Sequence, residues 1–367
     1  MESLSVSQQK QDFLLLIATL ILVIIGTAMV YSSSAIMAME RFQDGQFFLK
    51  RQIVFVALGL SILYLLSRVP YQRLRLVAYP AVILSFVLLL LLFVPSLGKK
   101  VGGATRWLDL GFIAFQVGEW VKFSVVLFLA FFLARKRQHV KEIIRGILTP
   151  LAVAACLMGL IILQPDFGTT AIIAVTVMVM LYLAGARIIH LLGLVAMFAP
   201  FAAWALSQGY RWERLMAFLN PWQDPHGSGF QIIQSLIAFG SGGAFGVGIG
   251  DGMQKLFYLP EPHTDFILSV IAEESGFIGV SIVILLYAVL IIRGFMISFK
   301  APDLFGMLLA AGLTILIFMQ VFINVAGVMG LIPLKGLTLP FLSYGGTSLM
   351  MSLAIVGILL NISSQES

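Results

Sequence analysis

The segment Leu259-Pro260-Glu261-Pro262-His263-Thr264-Asp265-Phe266 runs straight into the long, mainly apolar stretch 266–292, and that junction decides the fold. About 20 apolar residues let a helix cross the hydrocarbon core of a bilayer, so the apolar side reads as a membrane span. The polar side sets two carboxylates and an imidazole within five residues at the mouth of that span. Ionisable groups are costly in hydrocarbon and mark functional sites when they occur there. Helix capping by Thr264 or Asp265 is the plain alternative, but it accounts for one residue and not for the cluster.

Further apolar runs lie near 13–30, 52–67, 76–94, 120–134, 147–163, 169–185, 188–206, 304–328 and 337–360. With 266–292 they make about ten helices, an all-α polytopic membrane protein forming a single domain over 1–367. The runs are continuous rather than alternating, which excludes a β-barrel. Composition agrees: 60% hydrophobic residues, 11% charged and a mean hydropathy of +1.02 leave too little charge for a water-facing surface of this size. The net charge of +6 lies in short inter-helix loops rather than on one face, so no nucleic-acid partner is expected. The single Cys156 sits in an apolar run and supports neither a disulfide framework nor a cysteine metal site. The polar residues 1–12 precede a full-length span without a small-residue cleavage site, which reads as an anchor and not a removable signal.

Basic clusters set the orientation. Arg68, Arg73 and Arg75, then Arg135, Lys136, Arg137, Lys141 and Arg145, fall on one side together with Lys10, Arg293 and Lys300. The positive-inside bias makes that side cytoplasmic, although basic totals on the two sides are nearly equal. Both termini are then inside the cytoplasmic membrane, and residues 208–265 form a large extracytoplasmic loop between helices 7 and 8. Within it, 232–239 suits a short amphipathic or re-entrant helix, and the glycine-dense 241–250 permits close backbone approach to a ligand. A loop of that length is usually functional. No internal repeat is visible, which weakens an inverted-repeat transporter reading.

The charged residues on the outer side carry the functional question. Arg106 and Trp107, just before the fourth span, suit either an interfacial belt or a substrate contact. Glu119 and Lys122 are three residues apart and share a helix face, so a local ion pair and a substrate role are both open. Asp166, in a Pro-containing turn between the fifth and sixth spans, suits a helix cap as well as a site residue. Arg211, Arg214 and Lys255 are either solvated loop surface or a seat for an anionic lipid headgroup. Glu261 and His263 belong with Asp265, but four His without a spaced His/carboxylate set argue against a tight protein-ligated metal site. Glu273 and Glu274, two turns into the eighth span, demand the bundle interior, and a buried hydrogen bond to another helix is the preferred reading. Lys335 and Ser343 fall in a polar break before and within the last span; such breaks line protein or a cavity.

An ordered set of motifs resembles one family. Arg106-Trp107-Leu108-Asp109, Gln164-Pro165-Asp166, Asp224-Pro225 with Gly227 and Gly229, Gln234-Ser235, Pro260 to Phe266, and Pro340 with Ser343-Tyr344-Gly345-Gly346 follow one another along nearly the whole chain. This is similar to the SEDS family of bacterial cell-wall polymerases, the group of FtsW, RodA and SpoVE. Asn220-Pro221-Trp222 and 335–340 look more like the division member FtsW than the elongation member RodA. Val117-Gly118 stands where the family usually has Pro-Ser, and Leu268 where Phe is common; neither departure removes a charge.

The resemblance implies a peptidoglycan glycosyltransferase that polymerises lipid II, a disaccharide-pentapeptide on undecaprenyl pyrophosphate, at the outer membrane face. It implies a class B penicillin-binding protein as transpeptidase partner, with other divisome membrane proteins, and leaves a divalent cation, magnesium or manganese, open. Asp265 is placed as the general base, with Arg106, Lys122, Arg211, Arg214 and Lys255 beside the pyrophosphate. Glu119 and Asp166 shape the cavity or orient Lys122 and Arg106. A lipid II flippase is the competing reading; it needs a hydrophilic path through both leaflets, whereas the strongest polar cluster here lies at one face.

Overall fold

The computed structural model describes residues 11–365, apart from 102–103, 110, 112–113, 208, 256–258 and 260. Of the residues singled out above, Lys10 and Pro260 fall outside it, as do the side chains of Arg145 and Arg211. In chain order the helices are α1 (Phe13–Phe42), α2 (Phe47–Arg68), α3 (Leu74–Leu91), α4 (Val117–Arg135), α5 (Thr149–Leu163), α6 (Phe167–Leu183) and α7 (Ile188–Leu206). The long loop then contains α8 (Tyr210–Leu219) and α9 (Phe230–Gly242), and the bundle closes with α10 (Ile267–Lys300), α11 (Leu304–Val328) and α12 (Gly346–Ser363). Among the described residues eight helices are long and apolar enough to cross a membrane; α6 and the first part of α7 are shorter apolar helices, which makes ten.

Burial separates centre from rim. Of their apolar stretches, 89% of α12, 78% of α4 and 72% of α11 is buried, against 17% of α2, so three helices form the core and the others meet lipid. The end of the bundle where α1 begins and α12 finishes, its terminal end, is closed by polar contacts. Arg293 pairs with Asp12 at 2.6 Å, Arg75 with Asp303 at 2.6 Å, and the Asn361 amide donates to the Ser67 carbonyl. The backbone N–H of Asp12 donates to Ser363 Oγ, which fixes the start of α1 beside the end of α12.

Three features depart from the sequence expectation. The last helix begins at Gly346 rather than near 337, because Pro333 and Pro340 cannot donate to a helical ladder and 331–345 stays irregular. An otherwise all-α chain carries a small antiparallel sheet of β1 (Gly98–Val101), β2 (Ala104–Asp109) and β3 (Ala114–Gln116), in that spatial order. Its register aligns Lys99, Trp107 and Gln116 across the strands. The third departure is a break in α10 at Gly276, where φ is 64° and ψ −163°.

That break explains the glycine-dense stretch. The carbonyls of Glu273 and Glu274 accept from the N–H groups of Val247 and Gly248, and the N–H groups of Phe277 and Ile278 donate to the carbonyls of Gly243 and Ala244. The segment after α9 thus replaces a missing helical turn, and broken helices in membrane proteins persist where such groups are re-satisfied. A Cβ on Gly246 would overlap the Glu274 carbonyl, so the close backbone approach foreseen for this stretch is to α10 itself. Ahead of the break α9 lies along α10, with Ser235 Oγ 2.7 Å from Ser269 Oγ and donating to the Val328 carbonyl.

Candidate functional site

At the end of the bundle opposite the terminal end, the helix ends enclose a cavity of about 1250 Å³. The end of α1, the start of α2, the sheet, the α5–α6 turn, α8, the segment 261–266 and the irregular stretch 333–346 all line it. Seven basic side chains (Arg41, Lys50, Arg51, Lys99, Arg106, Arg214 and Lys335) face three carboxylates (Asp166, Glu261 and Asp265), so the cavity is net cationic. Below them Val54, Phe55 and Leu58 continue the wall down α2, following Arg51 at the i+3, i+4 and i+7 positions of one helix face. An anionic headgroup on a greasy tail matches both halves.

Asp265 sits two residues before α10, held by its neighbours' backbones. Asn324 on α11 donates its amide to the carbonyls of Asp265, at 2.9 Å, and Leu337, at 2.7 Å. Ser343 Oγ donates to the Thr264 carbonyl at 2.6 Å and accepts from the Leu339 N–H, while the Tyr344 N–H donates to the His263 carbonyl. The two polar loops are therefore laced together, and Ser343 acts on the backbone beneath the cavity rather than lining it. A Cβ on Gly336 would lie 2.7 Å from Asp265 Oδ2, so the carboxylate rests against a bare backbone. Burial, reinforced by the nearby Glu261 charge, pushes Asp265 up to about 6, while Arg106 and Arg214 pull the other way.

The remaining candidates divide. Arg106 reaches Asp166 at 3.4 Å and the Pro165 carbonyl at 3.5 Å. Asp166 also caps α6 through the Thr169 N–H and hydroxyl, so it serves as cap and as a neighbour of Arg106 together. Trp107, Arg214, Glu261, His263 and Lys335 line the cavity. His263 stacks near Phe48, 4.5 Å between ring centroids, and burial, with Arg41 nearby, pushes it down to about 4. It is neutral at pH 7, so Glu261, 3.6 Å from its Nε2, is a neighbour and not an ionic partner.

Three assignments made from sequence move elsewhere. Glu119 and Lys122 are buried and pair with each other at 2.8 Å, with Gln320 of α11 also donating to Glu119; they do not line the cavity. Lys255 is buried against Glu274 at 2.6 Å and does not line it either. Both corrections have one cause: a cation with a buried carboxylate beside it is turned inward. Arg211 lies outside the described side chains. Conversely, Arg41, Lys50, Arg51 and Lys99 were not singled out from the sequence; the signal was charge on the helix ends flanking the short α1–α2 link, with a Lys pair in β1.

A family model described as cell cycle protein, FtsW/RodA/SpoVE, matches residues 12–367. The chain belongs to this family. It is 45% identical to a probable peptidoglycan glycosyltransferase FtsW of Trichlorobacter lovleyi over 97% of this chain and 93% of that one. It is 44% identical to stage V sporulation protein E of Bacillus subtilis, over 98% and 99%. Among solved structures, a chain of a peptidoglycan synthase complex that coordinates polymerization and crosslinking superposes with a TM-score of 0.80 at 32% identity, over 97% and 98%. The rod shape determining protein RodA of Thermus thermophilus gives 0.71 at 29%, over 97% of each chain.

Proposed function

We propose that Asp265 is the general base of a glycosyl transfer that joins lipid II units at the outer face of the cytoplasmic membrane. The chain is a peptidoglycan glycosyltransferase of the FtsW/RodA/SpoVE family, as its relatives' names and its match to a peptidoglycan synthase complex support. One observation carries the residue assignment: a carboxylate raised to about 6 rests in a cationic cavity with one apolar wall. At neutral pH that carboxylate is ionised yet more basic than an ordinary Asp, as a proton acceptor should be.

In the reaction, the acceptor sugar hydroxyl gives its proton to Asp265 as its oxygen bonds to the anomeric carbon. The bond from that carbon to the lipid pyrophosphate breaks, and the electron pair leaves on a pyrophosphate oxygen. Lys99, Arg106, Arg214 and Lys335 stand where that negative charge develops, in the manner of preorganised electrostatic stabilisation. A single displacement inverts the anomeric centre. Among the described residues no three His, Cys, Asp or Glu side chains gather as a metal set, so no step is routed through magnesium or manganese.

Asp12 and Ser363 lie at the bundle end opposite the cavity, so an outward cavity leaves that end in the cytoplasm. The likeness to a synthase complex supports a class B penicillin-binding protein as partner; other divisome membrane proteins are proposed on the strength of the resemblance to FtsW alone. The deciding experiment assays purified Asp265→Asn with lipid II, reading glycan strands on gels. We expect strands to vanish, a loss above about 10²-fold, while folding and partner binding persist. Polymerisation near the wild-type rate overturns the assignment.

A further inference from the structure

A buried pair of charges outside the cavity stands at the break in α10. Lys255 and Glu274 side chains are 4% and 0% exposed, with Nζ 2.6 Å from Oε1. All three Lys255 protons are used: they go to Glu274, to the Gly250 carbonyl at 2.6 Å and to Ser32 Oγ of α1 at 3.2 Å. Ser32 in turn donates to the Glu274 carboxylate at 2.8 Å. The adjacent Glu273 carboxylate accepts from the N–H groups of Met253, at 2.8 Å, and Gln254, at 3.1 Å. Consecutive acids at the break thus grip three consecutive residues of the returning chain.

The returning chain is the one that carries the proposed base. Lys255 and Asp265 are ten residues apart in the sequence; Asp265 stands two residues before α10, and the first eight residues of that helix lead to Glu274. Eight helical residues rise about 12 Å, so one rigid rod relates Asp265 at its start to the Glu274 that holds Lys255. We infer that Lys255, through its buried pair with Glu274, is a positioning residue for Asp265, fixing the foot of the segment that holds the base over the cavity. This rests on the proposed role of Asp265. Losing one partner strands a charge in the interior, whereas losing both does not; stability and positioning can therefore be separated.

The test compares wild type, Lys255→Met and Lys255→Met/Glu274→Gln as purified full-length protein, measuring thermal stability, kcat and KM for lipid II, and the acid limb of the rate. The groups facing Asp265 are Glu261 on its own segment, Arg106 on β2 and Arg214 on α8. The double variant should recover stability relative to the single one, yet keep kcat lowered by about tenfold or more with KM little changed, as misplacement of a catalytic group does. Its acid limb should fall from about 6 toward the ordinary Asp range as Asp265 loosens from Glu261 and gains water. A double variant with wild-type kcat, or with an unmoved acid limb, overturns the inference and leaves Asp265 as base intact. An active Asp265→Asn enzyme would instead remove the base assignment and this inference with it.

Discussion

The two ends of the bundle handle charge in opposite ways. At the terminal end Arg75 and Arg293 each meet a carboxylate at 2.6 Å, and the basic cluster 135–141 lies at the end of α4 and in the loop after it rather than around the cavity. At the cavity end seven basic side chains and three carboxylates line one open space, where Lys50 meets Asp44 at 2.8 Å and Arg106 reaches Asp166 at 3.4 Å. Inside the bundle Glu119–Lys122 and Lys255–Glu274 follow the terminal pattern, short and closed. Charge that holds helices together is closed into short pairs; charge gathered around the cavity lines an open space of net positive charge.

The comparison can be broken at its strong end first. Below the loss expected of Asp265→Asn, Arg106→Gln should cost roughly 10²-fold in kcat/KM for lipid II, because it removes charge aimed at the leaving pyrophosphate. Steady-state rates at limiting lipid II check this, and an unchanged value would take Arg106 out of the site. Gly336→Ala comes next. Its methyl would lie 2.7 Å from Asp265 Oδ2, so the carboxylate must shift, and a loss of about tenfold in kcat at unchanged protein yield is expected.

The pH dependence sharpens the same contrast. Asp265 acts in its ionised form, so the rate should rise with pH through about 6 and level off above it. Glu261 raises Asp265 and Arg106 lowers it. Glu261→Gln should therefore move the acid limb to lower pH, and Arg106→Gln to higher pH; shifts of the same sign would contradict the electrostatics. The smallest effect belongs to the terminal end. Neutralising the Arg75–Asp303 pair, which is partly exposed, should change stability by no more than about 1 kcal/mol and leave polymerisation unchanged.

Ten spans were legible because each apolar run exceeds a strand's length and carries few charges. The sheet was not: strands of four, six and three residues are too short for alternation to show, and their pairing is tertiary. Asp265, Arg106 and Glu261 stood out because charge beside apolar sequence is conspicuous. Arg41 and Arg51 did not, since a basic residue at a helix end reads as an ordinary flank until the fold turns it toward the cavity. Lys255 misled for the converse reason. A lysine in a polar loop looks solvated, and only the break at Gly276 carries that loop down beside Glu274.

The lipid-facing wall of the cavity has a last consequence. Val54 and Leu58 are 56% and 44% exposed on α2, so the chamber opens sideways where the protein meets acyl chains. An isoprenoid substrate can slide in along the sheet of the membrane without its tail ever being hydrated. Turnover then obeys two-dimensional supply: diluting the substrate among inert lipids at fixed bulk amount should slow the enzyme, whereas diluting whole proteoliposomes in buffer should not.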